Sequence, residues 1–494
     1  MKVIPASQNA SPTGTIKNNR TFRRLLGASS VSMLGSHATT IAYPLLVLRL
    51  TGSPFTAGCV AFATNASGMI VYTPAGALVD RWNPRKAMLV SELGRAVAIA
   101  ALAATMVLGK PIVALLIAVA VIEGGLEVFS GLAERRYLGS IVGRDQVRSA
   151  LVRFEARTHV VLVAGRPLGG LLFEAGPIFP FLANVAAFIY SAYTLAVIKN
   201  GELICEPVAS PREVTSQDSL LNDIWQGFIW IHKDKFVRMV IVSFSVGTLI
   251  FQALIMVFLS DAHDRHLPAL AIGIVLAASG VGGALGSVAA SRLLARASYS
   301  WIRIQTSIWV AGFFFLMLPA GGYFVVTFII MAVLGFTGAL GNIALDTHLM
   351  RKVDQEMLAR VTSIGRLVSF AACAVGPVIG GVLAQELGVG SALFWLFISA
   401  LLVLPTLSVF TPPMPRLQDE LIVTEAQTRS RVDHEVVAER DRGRPFPPPT
   451  TAPRERGAAR DELGSPRPGE QQDEGRPAPT AGSAPWKGSQ PHPF

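Results

Sequence analysis

Long uncharged apolar stretches dominate the first four fifths of the chain. No Asp, Glu, Lys or Arg occurs in residues 54–79, 267–291 or 304–345. A membrane-spanning helix needs about 20 apolar residues, so the first two stretches each predict one crossing. The third predicts two, with a turn at Pro319, Gly321 and Gly322. The same pattern along the chain predicts twelve crossings, centred near residues 37, 66, 97, 122, 162, 188, 247, 279, 311, 334, 374 and 400.

Composition and charge agree with an all-α polytopic membrane protein. Hydrophobic residues make up 51% of the chain and charged residues only 15%. The net charge of +10 lies mainly in the tails and in alternate short loops, which is typical of membrane topology and not of a nucleic-acid groove. Of the Lys and Arg residues in the loops, only Arg49, Lys110 and Arg265 fall in the loops on the opposite side of the membrane. The positive-inside rule therefore predicts a multi-pass protein of the cell membrane with both termini in the cytoplasm.

The polar segments divide the chain into five predicted regions. Residues 1–20 are a disordered cytoplasmic arm, and residues 21–198 are an N-terminal bundle of six helices. A cytoplasmic linker, 199–235, separates this bundle from a C-terminal six-helix bundle, 236–412. The tail, 413–494, is rich in Pro and charged residues and is predicted to be disordered.

The two predicted bundles share markers at a constant separation of 211 residues. The motifs GRPLGG and GPVIGG begin at Gly165 and Gly376, and a pair of arginines, Arg81 and Arg85, recurs as Arg292 and Arg296. A repeat of this kind predicts two parallel copies around a cavity near the middle of the membrane.

Several motifs resemble those of a known transporter family. GALVDRWNPRKAML, residues 76–89, lies between crossings 2 and 3 and resembles the loop signature of the major facilitator superfamily. TGSPFTAG, SELGRA and the two glycine motifs are similar to those of its drug-efflux branch, which includes macrolide and siderophore exporters. The resemblance covers residues 20–412. It implies two bundles that rock around a central cavity and so give alternating access.

The loop signature implies a gate on the cytoplasmic side. In this family its charges hold the bundles together in the outward-open state, and the positions concerned are Gly76, Asp80, Arg81, Arg85 and Lys86. Positive-inside anchoring is the alternative, and it explains the basic residues but not Asp80. At the offset of 211, Ser291 stands opposite Asp80, so an asymmetric gate is expected.

The glycine motifs imply helix hinges in crossings 5 and 11. Arg166 occupies the position that is usually Pro in the first motif, which leaves the hinge geometry there open. The hinge positions are Gly165, Gly169, Gly170, Gly376, Pro377, Gly380 and Gly381.

Ionisable side chains inside the crossings are the candidate chemical groups, because each costs about 2.5 to 3.5 kcal/mol on insertion. Glu123 and Glu127 lie one turn apart on crossing 4. They predict either proton exchange in an apolar cavity, with Glu123 favoured as the deeper group, or a fixed ion pair with Arg95, Arg157 or Arg166.

The remaining intramembrane groups allow several roles. Glu92 and Arg95 are expected to pair at i,i+3, and His159 adds to the charges of crossing 5. Arg166 predicts either an acid partner or a site for an anionic substrate group. His37 predicts either a share in proton coupling or a neutral, hydrogen-bonded side chain. The crossings also contain uncharged polar side chains, which we expect either to line a substrate path or to make helix–helix hydrogen bonds. These are Asn65, Asn184, Gln252 and Asn342.

The sequence carries no signature of an enzyme, a metal site or an ATP-driven pump. The three widely spaced cysteines are expected to be packing residues. We therefore expect a monomeric secondary transporter in the lipid bilayer, driven by the proton gradient and without a cofactor, that exports an amphipathic small molecule such as a drug, an antibiotic or a siderophore-like metabolite. An importer or facilitator of the same fold, and a non-transporting scaffold or lipid-handling protein, are the alternatives.

Overall fold

The computed structural model describes residues 19–109, 112–142, 146–198, 227–296, 307–312, 324–353 and 355–410. Residues 1–18 of the predicted arm, residues 199–226 of the predicted linker, the predicted tail and the predicted turn at Pro319 therefore lie outside the described residues. The helices of the first half are α1 Arg20–Thr51, α2 Pro54–Arg81, α3 Pro84–Val107, α4 Val113–Ile141, α5 Val147–Ala175 and α6 Phe179–Val197. Those of the second half are α7 Lys235–Asp264, α8 Ala269–Arg296, α9 Phe324–Lys352 and α10 Gln355–Phe410.

Nine of the helices in the described part of the chain are long and apolar enough to cross a membrane. The apolar part of α10 has 44 residues and would be about 66 Å long, twice the thickness of a bilayer core. Gly388 divides it, with φ 76° and ψ 159°, so α10 supplies two crossings. Each of the twelve predicted centres lies in a helix, the ninth in the short segment 307–312. The predicted all-α polytopic fold is confirmed.

Short polar signals start and end the helices. Asn19 caps α1 by accepting a hydrogen bond from the N–H of Phe22, and Gly52 ends that helix with φ 64°. Ser53 and Asn83 cap α2 and α3, each followed by a Pro in the first turn. The loop signature is thus the end of one helix and the capped start of the next.

The helices pack in two groups that meet along two pairs. In the first group α1 packs on α5 and α6, α2 on α4, and α3 on α4 and α6. In the second group α7 packs on α10, and α8 on α9. The groups meet where α2 packs on α10 and α5 packs on α8. We call the side on which α1 begins the inner side, which the basic loops predict to be cytoplasmic, and the opposite side the outer side.

The internal repeat is visible in equivalent contacts, but with two offsets instead of one. Gly169 packs on Ala38, and Gly380 packs on Ala253. Glycines of α5 and α10 thus correspond at 211, whereas their partners on α1 and α7 correspond at 215. Gly124 of α4 packs on Thr64 of α2, and Gly335 of α9 packs on Ser279 of α8. The offset is therefore 215 for α2 and α8 but 211 for α4 and α9, so the second half is four residues shorter between α8 and α9 than the first half is between α2 and α4. The predicted equivalence of Asp80 with Ser291 is wrong, since an offset of 215 places Ala295 opposite Asp80 and Arg296 opposite Arg81.

Candidate functional site

A cavity of about 110 Å³, which we call the central cavity, lies between the two groups of helices, in the outer halves of the helices that line it. Among the described residues, six helices line it, namely α1, α2, α5, α7, α8 and α10. Most of its walls are apolar, and its polar side chains include Asn65, Arg166 and Gln252. The lining residues are Thr40, Ile41, Pro44, Ala61, Asn65, Arg166, Gln252, Ile255, Met256, Leu259, Leu276 and Pro377.

Arg166 links α5 to α8 across the interface of the two groups. Its Nη1 donates to the carbonyl of Leu276, 2.6 Å away, and to Oγ of Ser279, 3.1 Å away. Among the described residues no carboxylate lies within 4.0 Å of this guanidinium. The predicted acid partner of Arg166 is therefore not present in that part of the chain.

Arg95 on α3 holds both acids of α4. Its Nη2 lies 3.6 Å from Oε1 of Glu123 and 3.7 Å from Oε2 of Glu127. The side chains of Arg95 and Glu123 are 4% and 5% exposed, whereas that of Glu127 is 50% exposed. One guanidinium thus forms ion pairs with two carboxylates, of which one is buried and the other is half-exposed.

Four neutral side chains complete the surroundings of this cluster. The hydroxyl of Tyr43 donates to Oε2 of Glu123 at 2.7 Å, and Nδ2 of Asn184 donates to Oε1 at 3.3 Å. Arg95 also donates to Ser36 at 2.6 Å and lies 4.2 Å from the ring centroid of Phe188. Asn184 thus makes helix–helix hydrogen bonds. Tyr43 was not singled out by the sequence, because a Tyr in an apolar helix gives no signal of its partner.

Glu92 belongs to a different cluster from Arg95. Both of its oxygens accept from Ser32, at 3.0 and 2.9 Å, and one accepts from Ser130 at 3.5 Å. Glu92 and Arg95 interact electrostatically, but the predicted pair is not a direct ion pair, because the long side chain of Arg95 reaches towards the acids of α4.

The charges in the inner half of α5 are fixed to their neighbours. Arg157 lies 2.9 Å from Glu134, donates to Ser29 at 2.6 Å and stacks 4.4 Å from the ring centroid of Phe154. His159 lies 4.0 Å from Glu155 of its own helix. We therefore place Arg157 and His159 outside the cavity lining.

His37 interacts with charges of both the cavity and the Arg95 cluster. It is near enough to Glu127, Arg166 and Arg95 to interact electrostatically with each of them. Its Nε2 is buried without a hydrogen-bond partner among the described residues. A buried imidazole nitrogen in this position can exchange a proton or bind a water molecule.

The loop signature makes contacts within its own half of the molecule. Arg85 donates from Nε and Nη2 to the carbonyls of Leu195 and Ala196, each at 2.7 Å, and so caps the last turn of α6. Arg136 of α4 donates to the carbonyl of Val79 near the end of α2. Gly76 is half-buried and Lys86 is exposed, while the side chains of Asp80 and Arg81 lie outside the described part.

Both glycine motifs lie at close helix contacts near the outer side. Gly165 and Gly376 lie against equivalent positions of α1 and α7, His37 and Gln252. Gly170 packs across the interface on Ala269. In the other half Gly381 packs across it on Pro54 and Phe55, and Gly58 packs on Pro377. The two groups of helices are therefore closed against each other on the outer side.

The other candidates have simpler surroundings. Asn65 and Gln252 line the cavity, whereas Asn342 is exposed. Cys59 and Cys373 are free thiols. No group of three or more metal-binding side chains occurs within the ranges that the structure covers.

The architecture defines a multi-pass membrane transporter built from two related halves around a central cavity. The sequence model of the Major Facilitator Superfamily matches residues 25–377 and 241–438. The chain therefore belongs to the Major Facilitator Superfamily, which is a family of transporters and not of enzymes.

Relatives in this family include exporters. The multidrug efflux pump Tap of Mycolicibacterium fortuitum is 26% identical over 416 residues, which cover 80% of this chain and 96% of that protein. The enterobactin exporter EntS of Shigella flexneri is 21% identical over 415 residues, covering 82% and 97% respectively. The crystal structure of the nucleoside transporter NupG shares the fold, with a TM-score of 0.64 at 14% identity, and covers 79% of this chain and 99% of that one.

Proposed function

We propose that the protein is a proton-coupled exporter of an amphipathic organic compound in the cell membrane, working by alternating access around the central cavity. The names of the two similar proteins, an efflux pump and an exporter, support export over import. The apolar walls of the cavity, interrupted by a few polar groups, suit an amphipathic cargo.

The arrangement of Arg95, Glu123 and Glu127 carries the proposed proton coupling. Two carboxylates share one guanidinium, so the cluster has one uncompensated negative charge when both are ionised. A single proton removes that charge, which is costly within a membrane. The buried Glu123 is held by Tyr43, Asn184 and Arg95, whereas half of the Glu127 side chain is exposed. We therefore assign the transported proton to Glu127, not to the deeper Glu123 that the sequence favoured.

His37 offers the connection between proton and cargo. It interacts with Glu127 on one side and with the cavity residue Arg166 on the other. Protonation of Glu127 would remove its negative charge and so change the electrostatic potential at His37. Because His37 also interacts with Arg166, the change would extend to the cavity. The energy for export then comes from the proton gradient, without a cofactor.

The coupling is tested in vesicles that contain the purified protein and the internal pH dye pyranine. Amphipathic compounds of neutral, cationic and anionic type are added in the presence and absence of a pH gradient. For transported compounds, the wild type should move protons against the compound. Glu127→Gln should abolish gradient-driven accumulation while leaving exchange of the compound across the membrane. Glu155→Gln is the matched control, since Glu155 is an exposed acid outside the cluster. Undiminished accumulation with Glu127→Gln would remove this residue as the carrier.

A further inference from the structure

We propose that the cargo carries an anionic group and that Arg166 binds it in the central cavity. This inference rests on the proposed function, because it identifies the class of compound that the same cavity accepts. It starts from the position of the one guanidinium among the twelve lining residues that the structure describes.

The internal repeat indicates that the close helix contact at this position does not need an arginine side chain. The equivalent of Arg166 at the offset of 211 is Pro377, and both residues line the cavity. A glycine of the opposite group packs on the backbone of each, Gly273 at Arg166 and Gly58 at Pro377. Because the backbone makes this contact in both halves, the guanidinium of Arg166 is an addition to it.

The described residues supply hydrogen-bond acceptors for only part of the Arg166 guanidinium. Of its five N–H groups, the contacts to Leu276 and Ser279 both involve Nη1. These acceptors are uncharged, and no carboxylate of the described residues lies within 4.0 Å to neutralise the charge. A cation in an apolar cavity without a counter-ion favours an anionic ligand, and the planar guanidinium suits a carboxylate or a phosphate.

A second cavity continues the same path towards the outer side. It measures about 380 Å³, and its lining includes Arg49, His263 and His266. Apolar side chains one helical turn from the central cavity, Leu45 and Ile272, lie at its floor and are buried. Acids also occur beside the lining residues: Glu174 accepts from the N–H of Leu270, Asp261 pairs with Arg265, and Asp264 is exposed next to His263. A path with cations in both cavities suits the exit of an anion.

The apolar lining residues indicate that the cargo also has an apolar part. Ile41, Ile255, Met256 and Leu259 form an apolar wall of the cavity, next to the polar Gln252 on α7. The cargo should therefore combine its anionic group with an apolar body, which buries surface against this wall. Acetate has the charge without the apolar body and should bind more weakly.

The test uses three probes of one shape, which are 4-butylbenzoate, 4-butylbenzamide and 4-butylbenzylammonium. Binding to the full chain in nanodiscs is measured by equilibrium dialysis at neutral pH, with empty nanodiscs to subtract partition into lipid. The benzoate should bind about tenfold or more tightly than the amide and the ammonium compound, because only it pairs with Arg166. Equal binding of the three probes, or displacement of the benzoate by an equal concentration of acetate, overturns the proposal.

Variants assign the preference to Arg166. Arg166→Gln should lose the advantage of the benzoate, and Arg166→Lys should keep part of it. Arg265→Gln removes an arginine at the outer end of α7, outside the central cavity, and should bind like the wild type. An unchanged preference in Arg166→Gln overturns the proposal. If that variant does not fold, Asn65→Asp supplies a carboxylate in the same cavity and should weaken benzoate binding about tenfold, whereas unaltered binding counts against the proposal.

These measurements need no gradient, so they separate the two proposals. Preference for the benzoate without proton movement in the vesicle assay supports an anion site and removes proton coupling. Proton-coupled transport of neutral or cationic compounds without that preference supports coupling and overturns the anion site.

Discussion

Glu174 and Gln385 make the same contact in the two halves of the molecule. Oε2 of Glu174 accepts a hydrogen bond from the N–H of Leu270, and Oε1 of Gln385 accepts one from the N–H of Phe55, both at 3.4 Å. Each acceptor lies at the outer end of one group of helices and reaches the first turn of a helix in the other group. Gln385 also accepts from Ser53 at 2.6 Å. The N–H groups of a first helical turn lack partners within the helix, so these side chains hold the outer side closed.

The first prediction concerns this outer closure. The double variant Glu174→Ala with Gln385→Ala loses contacts worth about 2 kcal/mol together, so the population open on the outer side should rise roughly 30-fold relative to the closed one. Spin labels at Leu50 and Leu387, in a cysteine-free background, should report a longer distance by electron paramagnetic resonance. Glu386→Ala, beside Gln385, should leave the distance distribution unchanged. An unaltered distribution in the double variant would contradict this role.

A second prediction uses the close approach at Gly381. A methyl group there would lie 2.5 Å from the carbonyl oxygen of Pro54, which is backbone and cannot move aside as a side chain can. Gly381→Ala should therefore prevent full closure of the outer side and lower the transport rate at least tenfold in vesicles, while leaving insertion intact. Gly390→Ala is the matched control, because a methyl group there would meet nothing within 4 Å. Equal transport by the two variants would show that the contact is dispensable.

Apolar windows predict the positions of the crossings, including the one near residue 162 in α5, although α5 does not qualify by apolarity alone because it carries Glu155, Arg157 and Arg166. One feature of the repeat needs the structure. The glycine motifs predict a single offset, since they alone cannot detect a length difference of four residues elsewhere. Contacts of those glycines with the neighbouring helices reveal it.

The acids and bases of the site could be predicted, but not their pairing. Every ionisable residue of the cluster was visible as a charge in an apolar helix. The choice of Glu123 over Glu92 as partner of Arg95 depends on how α3 and α4 are rotated against each other, which local spacing does not determine. The contacts of Tyr43 and Gln385 were missed because an uncharged side chain in or beside an apolar helix gives no signal of the group that it will meet.

The third prediction separates two roles within the loop signature. Arg85 caps the last turn of α6, so Arg85→Gln should lower the free energy of unfolding by about 1 kcal/mol and reduce the apparent Tm in detergent. Lys86→Gln, at an exposed neighbour, should leave the apparent Tm unchanged. If Asp80 acts in a gate, Asp80→Asn should impair transport with normal insertion and an unchanged apparent Tm. Normal transport in that variant would return the motif to anchoring alone.

The last prediction tests which acid of the cluster carries the proton. Tyr43→Phe removes the 2.7 Å hydrogen bond to the buried Glu123 and should lower the free energy of unfolding by about 1.5 to 3 kcal/mol. If Glu127 is the carrier, the ratio of protons to compound moved should stay at the wild-type value, because Arg95 still pairs with both acids. Tyr190→Phe, at an exposed position of α6, controls for the loss of a hydroxyl. Apparent Tm and simultaneous pyranine and compound fluxes give both quantities. A changed ratio with Tyr43→Phe would instead assign the proton to Glu123, since only that carboxylate loses a donor.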